Sequence, residues 1–529
     1  MAATLRFLTV FVWLCLLTKL TFQQLGHFPP IHGDEAWFGL EAIKMQHTGI
    51  GGTNGMKWYA GSIFPYIVSL GFDIFGVSNW SLRLPGALLS IGFQVVLTGV
   101  VWWMANFRAA LFLLGLLSSS LLLQWYGRIA WEVNGLSWIL IAFTIFCVNH
   151  MLINIGKHRV GRVSLTQILL VFWCWTGAIS HFLFAIYIVA LVLAAVAFWL
   201  LKRDLPSQRF AAEILPVIGV LPFLILKAAL GNVGPFWVAV FFFGVPFLVL
   251  VGAVKMSRSG MDMRLLMAVR RLGQVLWRRK PLRWLLVVLG GAVLSMAAVT
   301  HGLPMAQVLS NVIVIKRLGV LPPGWWISLF QYGFAVLLVF QYLRLTWRYG
   351  FAVSPERRGL SGDQAVFLAL VVVIFLMLLP YIAPRTSLRY FAHPMILMFV
   401  GLAIVHPLDR VVWLRRGSVV ILALAAGVGL VIDQQAKRNH ATTAPKFFLV
   451  GLFMHETDMH FLPTAPLEEL LAKGQFCPAS VEAPALIRWP LEFAFAQNPW
   501  QCNPHLAMTV AYCPDCRSSG YFKLAPSVR

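Results

Sequence analysis

Two adjacent acids stand in the stretch "PPIHGDEAWFGLEAIKM", residues 29–45, soon after the first apolar segment of a chain with few charges. Helical spacing places Asp34, Phe38 and Glu41 on one face, with Glu35 about a quarter turn away. One interpretation is structural: Asp34 is the N-cap of a helix, and Glu35 interacts favourably with the helix dipole. The other is chemical, because a helix N-terminus also keeps a carboxylate ionised, as a general base requires. The two interpretations are compatible, and the surrounding sequence bears on both.

The surrounding chain has the composition of a polytopic membrane protein. Of its 529 residues, 59% are hydrophobic and 12% are charged, with 21 Trp and 40 Phe. Apolar runs of about 17–25 residues, the length that crosses a bilayer core as a helix, recur along it. The first run lacks a small-residue cleavage site, so we expect a retained span rather than a signal peptide. We predict 13 spans, at 5–24, 82–104, 109–125, 134–154, 167–180, 182–200, 212–230, 235–254, 284–300, 325–343, 364–382, 392–406 and 418–433.

The basic residues that give the net charge of +23 lie mainly in the loops between these spans. If the N-terminus is cytoplasmic, the loops and span ends on that side carry 24 of the 42 Lys and Arg, whereas the exterior loops before the tail carry eight. This asymmetry is the one that the positive-inside rule describes. The basic excess therefore indicates topology and contact with anionic lipid, and argues against a nucleic-acid partner.

The same alternation predicts which parts face the exterior. These are the loop 25–81, the short loop around Arg128 and Glu132, and the tail. The tail loses the long apolar runs and gains Pro, Asn and acids, as a water-exposed domain does. The expected fold is an all-α polytopic membrane protein, with a transmembrane domain at 1–433 and a small exterior, periplasmic domain at 434–529.

Cysteine positions agree with this orientation. Cys15, Cys147 and Cys174 fall within predicted spans, where they serve packing. The tail holds the other four, which are Cys477, Cys502, Cys513 and Cys516. Four thiols in an oxidising compartment favour two disulfides with three possible pairings. Zinc is the alternative, because "CPDC" has the spacing of metal ligands.

Several classes of active site are missing from the sequence. The segment "GGTNGMKW" resembles a P-loop, but Met56 separates the Gly from Lys57 and Trp58 replaces Ser or Thr. There is no Asp-x-Asp, no cytoplasmic loop large enough for a nucleotide-binding domain and no His pair at helical spacing. We therefore expect no bound nucleotide, no required cofactor and no metal site, although a divalent metal remains compatible with the chemistry.

Cations accompany the acids in the exterior loops. Those that we assign to binding an anionic donor headgroup are Lys57, Arg83, Arg128, Arg385 and Arg389. Each is also compatible with anchoring a span at the lipid headgroups. His181, alone between two spans, is either a structural histidine or a further site residue.

These motifs together resemble the GT-C glycosyltransferases. The segment "GDEAWF", the following Lys and "SLRLPGAL" match the first exterior loop and second span of protein O-mannosyltransferases and lipid A aminoarabinose transferases. "GRIAWE" resembles their second acidic loop, "AISHF" their recurrent His, and "LRYFAHPMIL" their late Arg-Tyr motif, which adds Tyr390 to the candidate site residues. The chain departs from these enzymes where Trp58 and Tyr59 replace Pro-Pro, and it lacks the large lumenal insert of the mannosyltransferases. These departures concern the acceptor more than the reaction.

The resemblance implies a reaction and roles for the residues. Such enzymes move a hexose or pentose from a polyprenyl-phosphate carrier to a lipid A or glycolipid, glycan or protein acceptor, here at the periplasmic side of the bacterial inner membrane. Asp34 would be the general base of an inverting displacement, Glu35 would position the acceptor or stabilise the site, and Glu132 would assist. Lys57, with Arg385 or Arg389, would neutralise the departing phosphate.

The main alternative is a polytopic transporter or lipid flippase, and another is an inactive scaffold of the envelope. Transporters usually carry ionisable residues inside their spans, whereas only Lys19 and Lys227 fall inside spans here, near predicted ends. Inverted repeats, frequent in transporters, are not evident. Acids gathered on one exterior side favour a one-sided catalytic cavity.

Overall fold

The described residues of the computed structural model form a helical bundle with a small amount of sheet. They are mainly 2–27, 31–48, 61–154, 164–202, 205–224, 235–259, 392–408, 461–462, 481–482, 485–497, 508–512 and 522–526, with isolated positions elsewhere. The helices are α1 (Ala2–Phe22), α2 (Gly33–Thr48), α3 (Ile63–Phe75), α4 (Asn79–Met104), α5 (Phe107–Ser119), α6 (Leu121–Tyr126), α7 (Ser137–Ile153), α8 (Leu165–Ser180), α9 (Phe182–Lys202), α10 (Leu205–Ile214), α11 (Pro235–Ser259), α12 (Ala392–Val405) and α13 (Ala485–Gln497).

Most predicted spans in the described part coincide with a helix. The clearest matches are α1, α4, α7, α8, α9, α11 and α12. Two of the described segments, Asn79–Met104 and Glu132–Ile153, are long and apolar enough to cross a bilayer on those grounds alone. The predicted spans 284–300, 325–343, 364–382 and 418–433 lie wholly or largely outside the described residues.

Two predicted spans are interrupted in the structure. The span 109–125 divides at Ser120, whose hydroxyl accepts a hydrogen bond from the Leu123 N–H at 3.4 Å and caps α6. The span 212–230 begins with α10, which starts before it, and continues as a 3₁₀ turn at Leu215–Val220 with a proline in its first turn. A hydrophobicity pattern does not detect either break, because neither interrupts the apolar run.

The loop 25–81, which was predicted to be exterior, contains two helices, α2 and α3, that pack against each other. Phe38 of α2 meets Phe64 of α3 edge to face, with ring centroids 5.5 Å apart, and both side chains are buried. The long helix α4 packs on α7. Phe93 of α4 contacts Trp138 of α7, and this contact extends the same hydrophobic core. The acidic helix α2 is therefore fixed to the bundle by an apolar face.

The prediction of an all-α fold omitted a small amount of sheet. The strands are β1 (Ile31–His32), β2 (Phe461–Leu462), β3 (Val481–Glu482), β4 (Met508–Tyr512) and β5 (Phe522–Pro526). Strand β1 pairs antiparallel with β2, Ile31 opposite Leu462. In the tail, β4 pairs parallel with β3 and antiparallel with β5. Strand β1 directly precedes α2, so a segment of the tail reaches the acidic motif.

Candidate active site

His32 caps the first turn of α2. Its ring Nδ1 accepts a hydrogen bond from the Asp34 backbone N–H at 3.0 Å. The backbone N–H of His32 donates in turn to Glu35 Oε2 at 3.4 Å. This reciprocal pattern resembles a capping box, with His32 in the N-cap position and Glu35 three residues on, except that the His32 ring accepts from the second helical N–H instead of the third. The interpretation of Asp34 as the N-cap is wrong by two residues, since Asp34 lies in the first turn, where the helix dipole favours a carboxylate.

Glu35 forms a buried two-point ion pair with Arg83 of α4. Arg83 Nε lies 2.7 Å from Glu35 Oε1 and Arg83 Nη2 lies 2.8 Å from Oε2, with the two side chains 1% and 0% exposed. The Ala130 N–H also donates to Glu35 Oε1, at 3.0 Å. Such a pair offsets its desolvation only when further hydrogen bonds satisfy the charges, and those bonds are present here. Glu35 thereby ties together α2, α4 and the loop before Glu132.

This geometry bears on two of the predicted roles. Arg83 was expected to bind the donor phosphate, and Glu35 to position the acceptor or stabilise the site. In the structure the Arg83 guanidinium is buried against Glu35 and also donates to the Leu25 carbonyl at 3.0 Å. Neither side chain has a surface that a substrate can reach, so both position other residues.

Arg128 donates to the same turn of the chain to which Arg83 donates. Its Nη2 donates to the Gln23 carbonyl, and its side chain is also buried. Between the two accepting carbonyls lies Gln24, a non-glycine residue with φ of 57° in the left-handed region. Two of the predicted cation-bearing loops therefore converge, but on the turn that follows α1 rather than on an open surface.

Asp34 has a different environment from its neighbour. Its side chain is 14% exposed, and Oδ2 lies 3.9 Å from Nδ1 of His32. The His32 ring in turn meets Trp131 edge to face at 4.4 Å. Asp34 therefore stands at the helix N-terminus with part of its side chain accessible, beside a histidine ring that packs edge to face on Trp131.

Glu132 and His181 form a second acid–histidine pair. Glu132 Oε1 lies 3.8 Å from His181 Nε2, and both side chains are largely buried. Glu132 opens a π-helical turn, Glu132–Leu136, in which Asn134 departs from helical geometry with φ of −95° and ψ of −110°. Single π turns of this kind occur frequently at functional sites. The contact between Trp131 and His32 places this turn against the start of α2.

Gly61, where the described part of the chain resumes, lies next to His181. The Gly61 N–H donates to the Ser180 carbonyl at 2.8 Å. A Cβ at position 61 would overlap the carbonyl oxygen of Ile179, so this approach needs a glycine. Lys57 precedes Gly61 by four residues in the sequence. The sequence therefore ties Lys57 to the contact of Gly61 with Ser180, the residue before His181.

Some predicted residues lie outside the described residues. They are Lys57, Arg385, Arg389, Tyr390, Cys502, Cys513 and Cys516. Of the four tail cysteines, Cys477 is described and forms a disulfide bond. Cys147 and Cys174 are free thiols buried in the bundle, whereas Cys15 is free and exposed.

The described residues contain no group of three or more His, Cys, Asp or Glu side chains close enough to hold a metal ion. The pairs His32–Asp34 and Glu132–His181 each offer two potential ligands. Within the described part, the site is organised as acid–histidine and acid–arginine pairs.

Helix α13 of the tail packs directly on α2. The Phe493 ring lies over Gly39, where a Cβ would overlap it, and stacks on Phe72 of α3 at 6.2 Å. Gln497 Nε2 donates to Asn79 Oδ1 at the start of α4, at 3.1 Å. Together with the β1–β2 pairing, these contacts hold α2 from the side that faces the tail.

Three residues of this arrangement were not identified from the sequence. They are His32, Trp131 and Gly61, and the first two had a weak signal. His32 and Glu35 have the i, i+3 spacing of a capping box, and Trp131 directly precedes an acid in a loop with few charges. Gly61 gave no signal, because its partner Ile179 is distant in sequence.

No protein-family model matches the chain, and no curated protein matches it by sequence. Solved structures do resemble it. The oligosaccharyltransferase AglB from the archaeon Archaeoglobus fulgidus, solved with an inhibitory peptide and a dolichol-phosphate, has a TM-score of 0.51 at 12% identity. This match covers 94% of the present chain and 65% of AglB, so the chain spans less than two thirds of that protein. AglB solved with Zn and sulfate also gives 0.51 at 12% identity, covering 94% of this chain and 63% of that one.

Apo ArnT from Cupriavidus metallidurans matches over 97% of this chain and 94% of its own, at 15% identity. Its TM-score of 0.38 is too low to support an argument. The similarity to AglB shows the fold, and the predicted resemblance is confirmed for the fold alone. The chain therefore shares the helical architecture of AglB, and two of its described segments are long and apolar enough to cross a bilayer.

Proposed function

We propose that this chain is a membrane glycosyltransferase that moves a sugar from a polyprenyl-phosphate carrier to an envelope acceptor. The observation that carries the proposal is the position of Asp34. Its partly exposed side chain stands in the first turn of α2, and the adjacent buried pair of Glu35 and Arg83 fixes that turn. The fold supports it, because AglB, which shares the architecture, is an oligosaccharyltransferase crystallised with a dolichol-phosphate.

The reaction is an inverting displacement at the anomeric carbon. Asp34 takes the proton of the acceptor hydroxyl as its oxygen bonds to that carbon. The bond from the carbon to the phosphate oxygen breaks, and its electron pair leaves with the lipid phosphate. General-base catalysis of this type contributes about 10²–10⁴ in rate. No cofactor takes part in this scheme.

The other residues act around this step. Glu132, which follows the Trp131 that contacts His32, pairs with His181, and this pair helps to orient the acceptor. Lys57, with Arg385 or Arg389, neutralises the growing charge on the phosphate, as electrostatic stabilisation of a leaving group requires. Arg128 and Arg83 hold the turn after α1, and Tyr390 completes the donor side.

The transfer takes place on the periplasmic side of the bacterial inner membrane. Nucleotide sugars are absent there, which is why a lipid-linked donor fits. The acceptor is an envelope lipid such as lipid A, a glycan or a protein, and the sugar is a hexose or a pentose.

The test is consumption of a defined donor. Purified protein in lipid nanodiscs is given a panel of polyprenyl-phosphate sugars with envelope extract, and donor and product are followed by mass spectrometry. We expect loss of one donor with release of the polyprenyl phosphate, and a product of inverted anomeric configuration by NMR. Intact donor that has only crossed the bilayer of reconstituted vesicles would indicate a flippase and overturn the proposal.

A further inference from the structure

A cavity of about 730 Å³ opens between α1, α5 and the segment that follows α12. Trp13 lines it from α1, and Arg108 and Phe112 line it from α5. His406 and Arg416 line it from the segment after α12. None of these residues belongs to the site around Asp34.

The cavity lies at the opposite end of the bundle from that site. Helix α4 has 26 residues and is therefore about 39 Å long at 1.5 Å per residue. Arg83 lies in its first turns, and Arg108 follows four residues after its last residue, Met104. A length of this size spans the bilayer core, so the cavity opens at the other face of the membrane.

The walls of the cavity are apolar and its charged groups are basic. Leu111 and Phe112 form part of the wall, with Val419, which is 49% exposed. The His406 ring stacks on Phe112 at 3.8 Å with 7° between the planes, which fixes that wall. Arg108 and Arg416 are both exposed. No Asp or Glu is among the described lining residues.

We propose that this cavity binds an anionic phospholipid of the adjacent leaflet. The phosphodiester lies between Arg108 and Arg416, and an acyl chain follows Leu111, Phe112 and Val419. Inorganic phosphate would gain nothing from the apolar wall, and a neutral lipid would gain nothing from the arginines. Basic pockets between spans at the cytoplasmic face recognise anionic headgroups, and the loop charges predict that this end is cytoplasmic.

The inference is independent of sugar transfer, and its test measures lipid directly. Protein purified in detergent is exposed to equal amounts of phosphatidylglycerol and phosphatidylcholine, and retained lipid is counted by native mass spectrometry. We expect one phosphatidylglycerol per chain. In the double variant Arg108→Gln/Arg416→Gln, retention should fall about 25-fold, since each arginine near an anionic lipid contributes roughly fivefold. Phosphatidylglycerol should also raise the Tm of the wild type and not of this variant.

Two further variants keep the test decisive. Arg264→Gln/Arg271→Gln removes the same charge from exposed positions outside the cavity and should retain lipid as the wild type does. Val419→Trp fills the cavity without changing its charge and should displace the lipid. The proposal is overturned if both arginine pairs lower retention equally, if phosphatidylcholine is retained as well as phosphatidylglycerol, or if added undecaprenyl phosphate replaces the phospholipid completely.

Discussion

Asp34 and Glu35 are neighbours in sequence with different surroundings in the structure. Glu35 is fully buried and paired with Arg83, whereas Asp34 keeps 14% of its side chain exposed. Successive residues of a helix point about 100° apart, so one can face the bundle while the other faces outward. The sequence predicted that both acids matter. It did not predict which one is buried, because the partner that decides this lies 48 residues further on.

Glu35→Gln should destabilise the protein strongly. It leaves the Arg83 charge buried with a neutral partner, and removing one member of a buried pair typically costs about 3–5 kcal/mol. The measurement is thermal unfolding in detergent, followed by tryptophan fluorescence. The matched control is Glu41→Gln in the same helix, whose carboxylate pairs with exposed Lys44 at 3.6 Å and contributes at most about 1 kcal/mol.

The double variant Glu35→Leu/Arg83→Met should recover much of the lost stability, because it removes both charges together. Equal unfolding temperatures for Glu35→Gln and Glu41→Gln would show that the buried pair does not hold the turn.

Gly61→Ala should impair transfer more than it impairs folding. The new Cβ would overlap the Ile179 carbonyl, so the backbone next to His181 must move. A displacement of about 1 Å near a reacting group can lower the rate roughly 10²-fold. The measurement is turnover of the donor. The control is Gly99→Ala in α4, where a Cβ meets nothing within 4 Å. Equal turnover of the two variants would show that the close approach at Gly61 does not matter for transfer.

At the scale of elements, α2 is held on several sides. Its N-terminus follows β1, which pairs with β2 of the tail, and its face packs on α3 and on α13. The first turn is pinned to α4 and to Ala130 through Glu35. A carboxylate that must meet an acceptor in one geometry needs such support, since catalytic positioning tolerates little displacement.

Phe493→Ala should loosen α2 without touching the site itself. Removing a buried Phe ring leaves a cavity, and such changes typically cost about 3–5 kcal/mol. We expect faster hydrogen exchange in Gly33–Thr48 than in the wild type, measured by mass spectrometry. Phe75→Ala is the control, because that ring is 53% exposed. Unchanged exchange in α2 would mean that α13 does not brace it.

At the scale of the whole molecule, composition and the recurring apolar runs predicted the helical architecture of the described part. Long apolar runs become helices because every backbone polar group must be satisfied inside the bilayer, so α4, α7 and α9 appear where hydropathy places them. The break at Ser120 and the π turn at Glu132 were missed, because local hydrogen bonds decide them within an unbroken apolar stretch. The pairing of β1 with β2 was missed because it joins two-residue strands from opposite ends of the chain.

The candidate site was predicted in part for the same reason. Asp34, Glu132 and His181 could be identified as scarce polar groups at the ends of spans. The burial of Arg83 could not, because an arginine near a span end has the same sequence pattern whether it faces lipid headgroups, a phosphate or a carboxylate. Only the contact with Glu35 distinguishes these cases.

The most direct test of the account is the rate of donor consumption by Asp34→Asn, measured with the donor that the wild type uses. The control is Asp73→Asn, which changes an acid of α3 that accepts a hydrogen bond from Gln46 at 2.6 Å, away from the site. The account predicts that Asp34→Asn lowers turnover about 10²–10⁴-fold with an unchanged unfolding temperature, while Asp73→Asn stays near the wild type. Turnover by Asp34→Asn equal to that of Asp73→Asn would contradict it.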